Sequence, residues 1–147
     1  MQNEEHIYVV AGDAMQKLMK EKFPERKTIP FRDDLSKGGC PGFSFTADFI
    51  AGRASFWGVA EDDYIKKMSL IINIDTSRDY ILCFGEDDCC KANLKFMLGY
   101  LKEKGYSKRV IVNVLDEYDL TVLKKYYVDI GAASYDQYPS DDISGSL

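Results

Sequence analysis

Three acids and two cysteines directly follow one of the most apolar segments of the chain. The run Tyr80–Phe84 reads YILCF, and the nine residues after it read GEDDCCKAN. A carboxylate in such a place can act as a general acid or base or can bind a divalent cation, and a thiol can act as a nucleophile. A similar arrangement occurs near the start of the chain, where Gly12 and Asp13 follow the apolar run Ile7–Ala11. Both segments therefore hold candidate catalytic carboxylates.

The hydrophobic pattern places both segments between a strand and a helix. Short apolar runs predict strands at 7–11, 27–31, 80–84 and 109–115. Apolar residues at helical spacing predict helices at 15–23, from a cap at Thr46 to Gly58, from about 60 to 72, at 90–101 and at 119–130.

Strands that alternate with helices predict an α/β fold, with a three-layer, Rossmann-like and mostly parallel sheet flanked by helices. Right-handed crossovers favour the strand order 2-1-3-4, and Pro30 indicates that the second strand lies at an edge. The topological switch point then lies between the first and third strands, and ligands in open α/β sheets bind beyond the strand ends there. We therefore expect Gly12, Asp13 and residues 85–88 to meet at one crevice.

Length and composition indicate one domain. We expect residues 1–130 to form a single α/β domain and residues 131–147 to form a polar C-terminal tail. The formal net charge of -5 disfavours nucleic-acid binding, and no apolar run reaches the roughly 20 residues that span a bilayer. The acidic N-terminal residues do not resemble a signal peptide. We therefore expect a cytoplasmic protein with no nucleic-acid or membrane partner, and the sequence does not predict its oligomeric state.

The predicted crevice selects a set of candidate site residues. Asp13 and Glu86 are the candidate catalytic or metal-binding carboxylates. Several carboxylates around one point suit a hard cation such as magnesium, and they can equally accept hydrogen bonds from the hydroxyl groups of a sugar or nucleoside. The sequence does not identify the metal ligands. The candidate ligand-binding residues are Gly12, Asp33, Asp34, Arg53, Gly85, Asp87 and Asn93.

A structural role competes with the functional one at the helix starts. Asp13, Asp87 and Asp88 each stand where an aspartate can cap a helix and stabilise it by roughly 1 kcal/mol. If aspartates fill these helix starts, a bare phosphate fits poorly there.

Three further residues also have two interpretations. Arg53 either binds an anionic ligand or forms an ion pair with Asp33 or Asp34. Asn93 either points toward the crevice or lies exposed on its helix. Trp57 is expected in the core rather than as a stacking surface.

The cysteines are expected to be free thiols. Cys40, Cys83, Cys89 and Cys90 form no Cys-x-x-Cys pair, and His6 is the only histidine, so a zinc site is not expected. Cys83 lies in a predicted strand, and Cys90 lies on the apolar stripe of a predicted helix, so both are expected to be buried.

Four motifs in order resemble a known bacterial family. They are VAGD at 10–13, DDLSKG at 33–38, RASFWG at 53–58 and FGEDDCCKANL at 84–94, and the resemblance covers roughly residues 7 to 115. In these motifs the chain resembles the family known as domain of unknown function 1835. The family carries no established activity, so the resemblance implies no catalytic residue. Longer members carry an additional C-terminal domain.

Three functional hypotheses follow. The first is a protein that binds a small polar ligand in an acid-lined crevice, with hydrolysis or group transfer assisted by a divalent cation as its catalytic form. The second is a non-catalytic interaction module whose acids are helix caps and whose tyrosines meet a protein partner, among them Tyr126, Tyr127, Tyr135 and Tyr138. The third, a redox protein that uses the adjacent cysteines, is the weakest because neighbouring cysteines form only a strained bond. The sequence does not decide whether the protein is an enzyme.

Overall fold

A five-stranded, mostly parallel sheet flanked by helices forms the structure. The computed structural model describes residues 6–131 and residue 147. In chain order its elements are β1 (Ile7–Val10), α1 (Asp13–Lys22), β2 (Lys27–Pro30), α2 (Ala47–Trp57), α3 (Glu61–Ile72), β3 (Tyr80–Phe84), α4 (Asp88–Glu103), β4 (Arg109–Leu115) and β5 (Val122–Asp129).

The strand order places the predicted switch point where it was expected. The order is β2-β1-β3-β4-β5, and β1 is paired in parallel with both β2 and β3. Because Val10 lies opposite Cys83, Gly12 and Gly85 leave their strands at the same edge of the sheet. The predicted fold class and the order of the first four strands are confirmed. Pro30 belongs to the edge strand β2, as predicted.

The segment after β4 is a strand where the sequence pattern predicted a helix. The predicted helix at 119–130 is wrong, because Val122–Asp129 forms β5, which pairs antiparallel with β4. Tyr126 and Val128 are buried while Tyr127 and Asp129 are exposed, so the side chains alternate as they do in a strand. Only residues 116–121 connect the two strands, which is too short for the crossover that a parallel strand would need.

Each face of the sheet carries its own apolar core. On one face Val10 packs with Met15 and Met19 of α1. On the other face Val9 belongs to a larger core to which α2, α3 and α4 all contribute. Since neighbouring strand residues point to opposite faces, the helices form two layers around the sheet. Aromatic side chains fill much of the larger core, among them Phe31, Phe45, Phe49, Phe96 and Tyr100.

Local capping determines where α2 and α4 begin and end. The hydroxyl of Thr46 accepts a hydrogen bond of 3.1 Å from the Phe49 N–H, and Gly58 ends α2 with a left-handed φ of 69°. The carboxylate of Asp87 accepts a bond of 2.7 Å from the Cys90 N–H at the start of α4. The predicted caps at Thr46, Gly58 and Asp87 are confirmed.

The predicted C-terminal tail falls mostly outside the described residues. Of residues 131–147, the structure describes only Gly131 and Leu147. Leu147 packs beside α1 in the smaller core, and its carbonyl accepts a hydrogen bond of 3.2 Å from Arg26. Within the described part of the chain, none of the helices has both the length and the apolar character needed to span a membrane.

Candidate ligand site at the switch point of the sheet

A crevice of about 420 Å³ opens beyond the carboxyl ends of β1 and β2. We call it the switch-point crevice. Five of the predicted site residues line it, namely Gly12, Asp13, Asp33, Asp34 and Asn93. Its other polar or aromatic lining residues are Phe31, Arg32, Trp57, Lys67 and Cys89.

The wall of the crevice is built around a buried ion pair. Arg53 donates two hydrogen bonds to Asp33, from Nε to Oδ2 at 2.9 Å and from Nη2 to Oδ1 at 2.6 Å. Asp33 also accepts bonds from the Tyr64 hydroxyl at 2.6 Å, the Trp57 indole N–H at 2.8 Å and the Asp34 N–H at 2.7 Å. Burial by itself raises the pKa of Asp33, but the bonds from Arg53, Tyr64 and Trp57 outweigh it and hold the pKa below its usual range.

The guanidinium of Arg53 has no donor left for a ligand. Its remaining N–H groups bind the carbonyls of Lys37, Gly39 and Asp34 at 2.5, 2.9 and 2.9 Å. With the two bonds to Asp33, all five donors of the guanidinium are used. Of the two roles considered for Arg53, the structure forms the ion pair, and the residue holds the loop after β2 against α2.

Asn93 holds the same loop from the other side. Its side chain is 2% exposed, its amide NH₂ donates to the Asp33 carbonyl at 2.8 Å, and its amide oxygen accepts from the Leu35 N–H at 3.0 Å. Asn93 therefore points toward the crevice wall rather than toward solvent, and its role there is to position the loop.

Trp57 is not a core residue, contrary to the prediction. Its side chain is 39% exposed, although its N–H is fixed by Asp33. It is the last residue of α2, directly before the C-cap Gly58. Part of the indole ring therefore lines the switch-point crevice.

The other two carboxylates of the crevice are each paired with a neighbour. Asp13 accepts a bond of 2.7 Å from Nε of Arg32. Asp34 accepts bonds from the N–H and hydroxyl of Ser36, and Lys37 lies 3.9 Å away. Positive and negative charges are therefore balanced on this side of the crevice.

The start of α1 is open, in contrast to the start of α4. Gly12 is its N-cap with a φ of 94°, a conformation that favours glycine, and no side chain caps the helix. Asp13 turns to Arg32 instead, so of the two roles considered for it the structure does not form the cap. Within the described residues, the N–H groups of Asp13, Ala14 and Met15 have no hydrogen-bond acceptor. No aspartate side chain therefore occupies the N–H groups at the start of α1, and an anion can bind there.

Lys67 of α3 adds a positive charge to the crevice. Its Nζ lies 5.8 Å from the centre of the Trp57 ring and 5.7 Å from that of Tyr64. Among the residues that the structure describes, it forms no ion pair with a carboxylate. The sequence analysis missed Lys67, because a lysine in the middle of an amphipathic helix carries no positional signal.

Glu86 does not line the switch-point crevice. It is exposed and lines a second cavity beside Gly85, on the other side of β3. The two candidate catalytic carboxylates, Asp13 and Glu86, therefore line different cavities, although their strands are neighbours.

Asp87, Cys90 and Glu117 form a further cluster at the end of β3. Their ligand atoms all lie within 4.8 Å of one another. A side chain at position 85 would collide with this cluster, since a Cβ on Gly85 would lie 2.8 Å from Cγ of Glu117. Glu117 was missed by the sequence analysis, although it follows β4 as Asp87 follows β3, and the same strand-end argument would have selected it.

Burial and like charges favour the protonated forms of two of the three groups in this cluster. Burial raises the pKa of the Cys90 thiol to about 12. Burial, and after it the neighbouring carboxylate of Asp87, raises the pKa of Glu117. One thiol and two carboxylates would suit zinc better than magnesium, and zinc binding there would have to displace the thiol proton.

None of the thiols near the two cavities is activated. Cys83 and Cys90 are buried at 0% and 3% exposure, as predicted. Cys89 lines the switch-point crevice, and its burial, together with the nearby Asp34, raises its pKa to about 12. All four cysteines are free. The raised pKa values of Cys89 and Cys90 disfavour either thiol as a thiolate nucleophile at neutral pH.

Comparison of the chain with protein-family models, with curated proteins and with solved structures finds no significant match. The resemblance to the domain of unknown function 1835 family rests on its four motifs and stays a prediction. Function must therefore be argued from the chemistry of the site itself.

Proposed function

We propose that the protein binds a small polar ligand with an anionic group in the switch-point crevice. The observation that carries the proposal is that Lys67 and the open N-terminus of α1 line the same crevice. Free N–H groups at a helix start and the helix dipole both favour an anion. An unpaired ammonium nearby adds to that preference, because it loses no existing ion pair when a ligand binds.

The rest of the crevice suits a hydroxylated ligand body. The carboxylates of Asp13 and Asp34 can each accept additional hydrogen bonds from hydroxyl groups, since a carboxylate has four acceptor positions. The exposed part of the Trp57 ring offers an apolar surface for C–H groups. A sugar phosphate combines these features. Because Asp33, Arg53 and Asn93 hold the crevice wall in place, such a ligand would meet a site that is already formed.

The catalytic extension of this proposal is hydrolysis or group transfer assisted by a divalent cation such as magnesium. In that case Asp13 and Asp34 would bind the cation together with the anionic group of the ligand, in place of their present bonds to Arg32 and Ser36. Glu86 would have no part in this step, because it lines another cavity.

Thermal-shift measurements test the binding proposal. We expect ribose 5-phosphate or glucose 6-phosphate to raise the melting temperature and the unphosphorylated sugars to raise it much less, because ligands that bind the folded state stabilise it. Lys67→Ala should abolish most of the shift. Lys66→Ala, the neighbouring exposed lysine on α3, is the matched control and should keep it. Equal shifts in both variants would refute the role of Lys67. Magnesium added to each sample tests whether a divalent cation takes part in ligand binding.

The second candidate is a non-catalytic interaction module. It is favoured by an exposed apolar corner after α2, where Phe56 and Val59 are 45% and 42% exposed beside Trp57. Of the tyrosines that suggested this function, Tyr126 is buried, Tyr127 is partly exposed, and Tyr135 and Tyr138 lie outside the described residues.

If the partner of this module is a second copy of the chain, sedimentation velocity will detect the dimer. Wild type should then form a dimer as its concentration rises, and Phe56→Ser should remain monomeric. A monomer at all concentrations, together with a sugar-phosphate shift that Phe56→Ser does not alter, would favour the ligand-binding proposal.

A further inference from the structure

A second cavity of about 400 Å³ lies between α4 and the β4–β5 pair. We call it the lysine-rimmed cavity. It begins beside Gly85 and Glu86 at the end of β3 and shares no lining residue with the switch-point crevice. Its volume is within the range of roughly 300–1,000 Å³ that is typical of small-molecule sites.

The floor of the lysine-rimmed cavity is apolar. Leu94 of α4 and Tyr126 of β5 are 6% and 4% exposed. Val114 of β4, the third apolar lining residue, is partly buried. An apolar ligand surface that packs against these side chains is removed from contact with water. This burial stabilises the complex by roughly 25 cal/mol for each Å² of apolar surface.

The rim of the cavity is positively charged in an acidic protein. Lys91 and Lys95 lie one turn apart on α4, and Lys124 comes from β5. Among the described residues, Glu86 is the one acid that lines the cavity. The chain as a whole carries a net charge of -5. In the described part of the structure none of these three lysines forms an ion pair, whereas Lys108 pairs with an acid at 3.2 Å.

This arrangement has an energetic cost that an anion would remove. Like charges at positions i and i+4 of a helix destabilise it by a few tenths of a kcal/mol, and Lys124 adds a third positive charge to the same rim. Nζ of Lys124 lies 5.3 Å from the centre of the Tyr126 ring, so positive charge borders the apolar floor directly. Such a site suits a ligand that has one anionic end and one apolar end.

We propose that the lysine-rimmed cavity binds a small amphipathic anion. Its carboxylate or phosphate head would contact Lys91, Lys95 and Lys124, and its apolar body would pack on Leu94 and Tyr126. This inference goes beyond the proposed function, because it concerns a different cavity and a different class of ligand.

Isothermal titration calorimetry with eight-carbon probes tests the inference on the intact chain. Octanoate and octyl phosphate should bind, while octanol and inorganic phosphate should bind much more weakly. Equal binding of octanol would overturn the charge argument. If inorganic phosphate bound equally well, the apolar floor would have no role in binding. If neither amphipathic anion bound, the proposal as a whole would be overturned.

Charge-reversal variants locate the binding. Lys91→Glu/Lys95→Glu should weaken octanoate binding by about tenfold or more, because two attractions become repulsions. Lys17→Glu/Lys20→Glu on α1 changes the net charge equally and should leave the affinity unchanged. Equal weakening in both double variants would show a nonspecific charge effect and refute the site.

Two further variants keep the test decisive. Val114→Phe narrows the cavity without changing its charge and should also weaken octanoate binding, so the proposal does not depend on the folding of one variant. Lys67→Ala, which tests the switch-point crevice, should leave octanoate binding unchanged. The failure of either ligand proposal can therefore be told apart from the failure of the other.

Discussion

Asp33 is a carboxylate with 8% of its surface exposed, and five hydrogen-bond donors surround it. Removing one partner of a buried ion pair leaves a charge without compensation. We therefore expect Arg53→Ala to lower the free energy of unfolding by about 3–5 kcal/mol, as measured by urea denaturation. Tyr64→Phe removes a single bond to the same carboxylate and should cost less. A loss below that of Tyr64→Phe would show that the ion pair does not stabilise the fold.

The same residue predicts an acid dependence of stability. The pKa of Asp33 in the folded protein lies below its usual value, so its contribution is present above the unfolded pKa of about 3.9 and is lost as the pH falls through the folded pKa. We expect stability to decrease below about pH 4. In Asp33→Asn/Arg53→Met this part of the decrease should be absent, and denaturation curves over a pH series measure the difference. An identical acid dependence in wild type and variant would contradict the prediction.

Glu117 should affect stability in the opposite direction. Its pKa is raised by burial and by Asp87, so the folded state binds its proton more tightly than the unfolded state does. Its effect on stability is then most unfavourable at neutral pH and disappears at acidic pH. We expect Glu117→Gln to raise the melting temperature at pH 7 but not at pH 3. Glu103→Gln, at an exposed position in α4, serves as the control and should show no such difference.

At the scale of helices, two glycines in similar elements should respond oppositely to the same change. Gly52 lies in α2, and a Cβ there would meet no atom within 4 Å. Gly52→Ala should therefore stabilise the protein by roughly 0.5–1 kcal/mol, the usual gain in a helix. Gly99 lies in α4, where a Cβ would collide with the ring of Phe43. Gly99→Ala should destabilise the protein despite the same gain in helix propensity, and urea denaturation of both variants measures the two signs.

The elements differ in how far the sequence could predict them. β3 and β4 were predicted with their observed bounds, because both are short apolar runs between turn residues. The segment 119–130 was not predicted correctly, since its leucines, lysines and tyrosines fit helical spacing as well as alternation. Its pairing with β4, which no local pattern encodes, decides between the two.

At the scale of the whole molecule, the location of the crevice could be predicted but its contacts could not. The strand order and the positions of Gly12 and Asp13 follow from the alternation of elements. The partners of Asp33 come from α2 and α3, and a buried network of this kind depends on packing between distant segments. The separation of Asp13 from Glu86 likewise depends on the packing of α4, which contributes residues to both cavities and whose placement the strand order alone does not specify.

The two kinds of strand pairing in the sheet also imply an order of assembly. β5 pairs with β4 across a short turn, whereas β1 pairs with β3 only after three helices and an edge strand have intervened in the chain. Because closing a long loop costs more entropy than closing a short one, local pairs usually form earlier in folding. Val128→Ala in the hairpin should therefore mainly slow refolding, and Ile29→Ala in the edge strand β2 should mainly speed unfolding. Stopped-flow measurements of both variants would show whether the chain begins to fold from its C-terminal strands.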